Sequence, residues 1–235
     1  MSMRFDIITI FSEALHGYFN ESIISRAQKN KLVNIKVWDL RKFSRDKHKK
    51  VDDKPYGGGP GMVLKIEPIA KALESILKLR RRTSKSKTSG VLIVLLSVSG
   101  KQFNSKMAAD FAKKYNHIIL IAGHYEGIDE RIKKVIENWK LKIENLSVGP
   151  YVLTGGELPA MVIVDAVSRH IRGVLGKAES LEEKRHGVGV PVYTRPEIFK
   201  FLDKKYKVPP VLLSGNHRKI NVWRKMRAKW IISEG

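Results

Sequence analysis

The chain has no cysteine among its 235 residues, which removes disulfides, thiolate nucleophiles and cysteine-held zinc or iron–sulfur centres from consideration. No run approaches the roughly 18–20 consecutive apolar residues that a membrane span requires. The seven histidines are scattered, so no metal-ligand cluster stands out and no metal-binding residue is expected. Glycines near position 58 lack the Gly-Lys-Ser/Thr ending of a phosphate-cradling loop. Acidic residues are the most depleted class: 23 Asp and Glu face 45 Lys and Arg, for a net charge of +22. Such an excess repels itself unless a polyanion is near, and it matches the electrostatic footprint of a nucleic-acid binder. A lysine-rich proteome would give the same sign, and charge alone does not separate RNA from DNA or an anionic membrane.

What is present reads as α/β. A hydrophobic share of 43% is enough for a real core. Residues 4–11 form an apolar run after a single Arg4, a strand rather than a secretory signal, so a cytoplasmic location is expected. Residues 33–37 alternate like a half-buried strand, while 91–96 and 117–122 are continuous apolar runs, as in a parallel sheet covered on both faces. Helical spacing follows Glu67-Pro68, through Ile69, Leu73, Ile76 and Leu77, and recurs over 104–115 through Met107, Ala108, Phe111 and Ala112. This alternation predicts an α/β domain. The basic, serine-rich residues 79–90 predict a surface loop, and the polar residues 177–190 a linker. Beyond it, apolar residues among arginines and lysines over 217–231 predict a basic helix.

Three stretches carry the candidate chemistry. Residues 147–159 read Ser-Val-Gly-Pro-Tyr-Val-Leu-Thr-Gly-Gly-Glu-Leu-Pro. Their glycines let the backbone turn tightly and approach a ligand, and Pro159 suits the first turn of the apolar helix that follows, up to Gly173. A plain loop leading into a buried helix would look the same. Residues 123–131, Gly-His-Tyr-Glu-Gly-Ile-Asp-Glu-Arg, follow an apolar strand, and the carboxyl end of a parallel strand is where open α/β sheets bind ligands. An ordinary turn with acids at the head of a helix is the structural alternative. Residues 47–62, ending Asp-Asp-Lys-Pro-Tyr-Gly-Gly-Gly-Pro-Gly-Met, suggest a loop or flap closing over a base.

The wording and order of these stretches resemble the bacterial tRNA (guanine-N1)-methyltransferases, the TrmD family of knotted SPOUT methyltransferases. Residues 52–62 match that family's signature with Lys54 for arginine. Residues 193–197 (Tyr-Thr-Arg-Pro-Glu) and 208–217 (Val-Pro-Pro-Val-Leu-Leu-Ser-Gly-Asn-His) are similar to its carboxyl-terminal signatures, and the match runs from Phe5 to about Trp223. The resemblance implies a SPOUT-type α/β parallel sheet with a deep trefoil knot over residues 1–175. It further implies an interdomain linker over 176–191 and a small basic helical tRNA-binding domain over 192–235. S-adenosylmethionine would be held by Leu96 and Ser97, by Gly123, Tyr125 and Glu126, and by Val148, Gly149, Pro150, Tyr151, Val152, Leu153, Gly155 and Gly156. The tRNA would meet Asp53, Tyr56, Gly58 and Gly59, then Ser214, Asn216, His217, Arg218, Lys219 and Arg224. For Trp223 and Trp230, packing is the expected role.

The implied reaction moves a methyl group to N1 of the guanosine adjacent to the 3′ side of the anticodon, in a homodimer whose active sites are shared between subunits. A magnesium requirement is implied as well. N1 carries a proton in the neutral base, so a general base must remove it and a donor should stabilise charge on the purine oxygen. Arg169 matches the family arginine assigned to that oxygen. Lys184 stands where an aspartate is usual, and a protonated lysine cannot act as the base unless its pKa is strongly depressed. Glu183, with Glu182 beside it, is the carboxylate assigned instead. Pro150 also departs from a common aspartate and lacks a backbone donor. Two alternatives remain: a knotted methyltransferase acting on ribosomal RNA, and a tRNA-binding protein that has lost catalysis.

Overall fold

The computed structural model describes residues 2–83, 90–176, 181 and 189–228. They belong to two compact units, Met1–Leu175 and Gly176–Gly235. The first is built on β1 (Met3–Thr9), β2 (Val33–Asp39), β5 (Val91–Gln102), β6 (His117–Ala122) and β7 (Lys142–Ser147), in the order β2-β1-β6-β5-β7. All neighbouring pairs in that sheet are parallel. A two-stranded antiparallel ribbon, β3 (Asp52–Asp53) with β4 (Val63–Leu64), stands apart from it.

The apolar runs take the central places. Every residue of β6 is buried, as are the first six of β5, because helices cover both faces. Ile118, Leu120 and Ala122 face one layer, made by α1 (Glu13–Phe19), α2 (Ser22–Lys29), α4 (Ser105–Lys114) and α6 (Glu157–Ser168). Ile119 and Ile121 face the other, made by α3 (Ile66–Thr83) and α5 (Arg131–Asn138). Alternate side chains of one strand thus feed two cores. The Asn104 side chain caps α4 by accepting from Met107 N–H at 3.0 Å.

Local pattern misplaces some boundaries. β5 does not stop at Leu96: residues 97–100 bulge out, and Lys101 and Gln102 pair again with β7. α3 continues to Thr83, into the stretch expected to be loop; residues 84–89 lie outside the described residues. Among the described residues no helix is long and apolar enough to cross a membrane.

The second unit corrects the expectation of an all-helical segment. It holds α7 (Pro210–Leu213) and α8 (His217–Arg227), but also an antiparallel hairpin of β8 (Ile198–Phe201) and β9 (Lys204–Lys207). The alternation Ile-Phe-Lys-Phe, then Lys-Lys-Tyr-Lys, has the two-residue period of a strand, and the aromatic positions favour one. Trp223 is buried in this unit, with Tyr193 6.3 Å away, and Trp230 lies outside the described residues.

One ionic cluster sits inside the sheet. Asp6 on β1 is fully buried, and its carboxylate meets His117 Nε2 at 2.5 Å, Trp38 Nε1 at 2.6 Å and Arg4 Nε at 2.6 Å. Burial pushes its pKa up, but hydrogen bonds from His117, Arg4 and Trp38 outweigh burial and hold the carboxyl below its ordinary 3.8. Its contribution is therefore complete above pH 3.8 and is lost as pH falls through the lower folded value. Asp6→Asn leaves these donors without their charge and should cost about 3 kcal/mol, or roughly 6–12 °C in Tm near neutrality. The difference from the parent chain should shrink in acid, which thermal melts between pH 7 and pH 3 would read.

Candidate active site

Strand register builds the site. Leu96 pairs with Ala122 on one side and with Leu146 on the other, so the bulge that starts at Ser97 and the loops that follow Ala122 and Ser147 open close to one level. The bulge in β5 and the loops after the neighbouring parallel strands β6 and β7 surround a cleft of about 1190 Å³. Leu96, Ser97, Gly123, Tyr125, Glu126, Val148, Tyr151, Val152, Leu153, Gly155 and Gly156 all line it, with Asp53 and Tyr56.

The loop after β7 is held down by backbone. Gly156 N–H donates to the Gly123 carbonyl at 2.8 Å, and His124 and Gly155 form an isolated bridge. A Cβ on Gly156 would lie 2.6 Å from Ala122 Cα, a main-chain atom that cannot yield, so only glycine lets α6 start against the end of β6. Gly149 is buried beside the Tyr151 ring, and Pro150 is exposed; neither lines the cleft.

The glycine-rich loop is tied to the same place. Leu64 N–H donates to the Gly127 carbonyl at 3.0 Å, Glu126 N–H to the Met62 carbonyl at 3.0 Å, and Asp129 N–H to the Leu64 carbonyl at 3.1 Å. Gly61, at φ +86°, packs against the Glu126 side chain where a Cβ would collide with the carboxylate. The ribbon is thus a flap hinged on residues 123–129, with Tyr56 98% exposed and Gly58 and Gly59 exposed beside it, off the cleft wall.

Beneath the cleft lies a polar knot of side chains that sequence reading passed over. Glu157, buried in the first turn of α6, accepts from Thr9 Oγ1 at 2.6 Å, and His124 Nδ1 lies 3.9 Å from its other oxygen. The rings of Phe11 and Tyr125 stand edge-on to His124. The signal was present as a carboxylate in the first turn of a mostly apolar helix.

Of the carboxylates at the cleft, hydrogen bonds from Lys65 hold Asp53, and from Arg131 hold Asp129, below the usual range. Arg169 is the carboxyl-terminal cap of α6, and thirteen residues of helical rise separate it from Gly156 by about 20 Å. Glu182, Glu183 and Lys184 lie outside the described residues. Among the described residues no group of three or more His, Asp or Glu is placed to hold a metal ion.

The remaining assigned residues lie in the second unit. Asn216 caps α8 by accepting from Lys219 N–H at 3.0 Å, and Ser214 Oγ donates to the Val211 carbonyl at 2.7 Å, so both have structural work. His217, Arg218 and Lys219 are exposed in the first turn, and Arg224 is half-buried one and a half turns on.

Comparison with known proteins agrees with this geometry. A family model described as tRNA (Guanine-1)-methyltransferase TrmD matches residues 3–231. A tRNA (guanine-N(1)-)-methyltransferase of Dictyoglomus turgidum is 50% identical over 229 residues, covering 96% of this chain and 85% of the relative. Proteins of the same name from Carboxydothermus hydrogenoformans and Clostridioides difficile are 45% and 43% identical, covering 96% and 99% of this chain and 83% and 95% of theirs. With the cleft-forming loops and the flap inside the matched region, the chain belongs to the TrmD family of tRNA (guanine-1)-methyltransferases.

Proposed function

We propose that this protein transfers a methyl group from S-adenosylmethionine to N1 of the guanosine adjacent to the 3′ side of the tRNA anticodon, acting in the cytoplasm. The observation that carries the reading is the common level of Leu96, Ala122 and Leu146, which delivers the bulge and two loops to one cleft beneath a hinged flap. The residues present fit the cofactor. Tyr151, Val152 and Leu153 keep exposed apolar surface at the cleft for a flat base to cover, while Gly155 and Gly156 bring bare backbone close. When bound, the cofactor supplies a methyl on a sulfonium, open to in-line attack by N1.

The chain's own groups handle orientation and protons. Arg169 donates to the purine oxygen, where negative charge grows as N1 is deprotonated, and Glu183, with Glu182 beside it, takes the N1 proton. Among the described residues no cluster of three or more His, Asp or Glu is placed to hold magnesium.

The distance along α6 supports a homodimer with shared sites. Arg169 is about 20 Å from Gly156 in its own chain, and Leu158 and Val162 leave an apolar stripe exposed on the same helix. A second subunit packed there could bring its Arg169 to this cleft. The trefoil knot is part of the proposal too: the segment leaving edge strand β7 crosses the end of β5 to reach β6, the course a threaded chain would take. The second unit, with the segment before it as a linker, is assigned to tRNA binding. Lys184, at the position where the family carries aspartate, favours the rival reading of a tRNA-binding protein without turnover.

Four measurements separate these readings. Unmodified tRNA transcripts with guanosine or adenosine at the target position, incubated with labelled S-adenosylmethionine, should yield N1-methylguanosine from the first only; no product despite cofactor binding establishes the binding protein. Gly156→Ala should weaken cofactor binding by calorimetry more than tenfold while leaving tRNA binding intact. Arg169→Ala should lower kcat by about 10²–10³. After subunit exchange, an equal mixture of these two variants should recover about a quarter of the parent activity if sites are shared, since half the dimers are mixed and each has one intact site. Recovery of nothing places Arg169 at its own chain's cofactor.

A further inference from the structure

The hairpin of the second unit has a face that nothing in the proposed reaction accounts for. Phe199 on β8 is paired with Tyr206 on β9, and Phe201 with Lys204, so these four side chains share one face. The Phe199 and Phe201 rings lie nearly parallel, 10° apart with centroids at 6.1 Å, and Tyr206 is 6.3 Å from Phe199. All three are more than half exposed, at 53%, 55% and 53%. Three co-facial rings left in water on a two-stranded ribbon do little for the ribbon's own stability, because an isolated hairpin is marginal without a covered face.

The surroundings define what could cover them. Lys204 stands on the aromatic face, Lys200, Lys205 and Lys207 on the opposite one, and Asp203 in the turn is the hairpin's one acid. The partner must therefore present negative charge together with planar apolar faces. A duplex supplies the charge but hides its base faces in the stack; unpaired nucleotides supply both. The hairpin is also rooted next to a basic cleft. Val208 N–H donates to the Glu197 carbonyl at 3.0 Å, and both residues line a hollow shared with Tyr193, Arg195, Trp223 and Arg224.

We propose that hairpin residues 198–207 are a stacking platform for unpaired bases of the tRNA, with Phe199, Phe201 and Tyr206 as the contact rings and the flanking lysines on the phosphates. This rests on the reading of the protein as a tRNA methyltransferase, and it adds a substrate-positioning element outside the cofactor cleft.

The test compares Phe199→Leu/Phe201→Leu, which keeps strand-forming apolar side chains but removes the rings, with the conservative Phe199→Tyr/Phe201→Tyr. The leucine variant should raise the KM for tRNA and weaken binding of labelled tRNA on the order of tenfold. Its kcat, cofactor affinity and Tm should be unchanged, and the tyrosine variant should behave as the parent. Lys204→Gln, on the aromatic face, should reduce the slope of log affinity against log salt by about 0.7, the value of one phosphate contact. Unaltered tRNA affinity in the leucine variant overturns the proposal, as does a changed Tm or oligomeric state, since the face would then be a packing surface of this chain or its second copy. If the parent makes no methylguanosine, the functional reading fails separately. The labelled-tRNA binding difference still decides the hairpin: a tenfold loss sustains it and equal binding overturns it.

Discussion

Everything at the cleft depends on how closely α6 is allowed to begin against the end of β6. The hydrogen bond from Gly156 to Gly123 and the missing Cβ at Gly156 place a helix start where main chain already stands. That contact pulls residues 148–155 across the end of β5, so that Tyr151, Val152 and Leu153 face loops from two other strands rather than water alone. It also buries Glu157, whose charge is met by Thr9 from β1 and approached by His124 from β6. A single close approach thus coordinates three strand ends.

The flap obeys the same logic from the other side. Its glycines would give it no fixed position by themselves, since residues at positive φ entail only local turns. Its orientation comes from three main-chain bonds to the loop after β6. The flap and the cleft loops therefore share one support, and any shift of residues 123–129 moves both.

Much of this was legible in residues. The buried strands announced themselves as unbroken apolar runs, and the glycine-rich stretches marked where backbone had to come close. Bringing the stretches together was not legible from local pattern, because Leu96, Ala122 and Leu146 acquire a common level only through sheet register. Asp6 reads as a polar interruption of a strand until Arg4, Trp38 and His117 are seen around it. The hairpin at Ile198–Phe201 and Lys204–Lys207 was overlooked because basic composition dominated the reading of that segment, although its period is that of a strand. Glu182 and Glu183 rest on sequence alone.

The place of β1 has a consequence for how the chain comes into being. Its partners are β2, made soon after it, and β6, whose His117 pairs with Arg4. At the usual pace of translation, about 5–20 residues per second, β1 waits on the order of 6–20 s for that second neighbour to be synthesised. Until then the Asp6 carboxylate has no His117, and the apolar side chains of β1 have one flank uncovered. The sheet therefore closes from its middle, late, and a nascent chain halted before β6 would display a strand edge that the finished enzyme never shows.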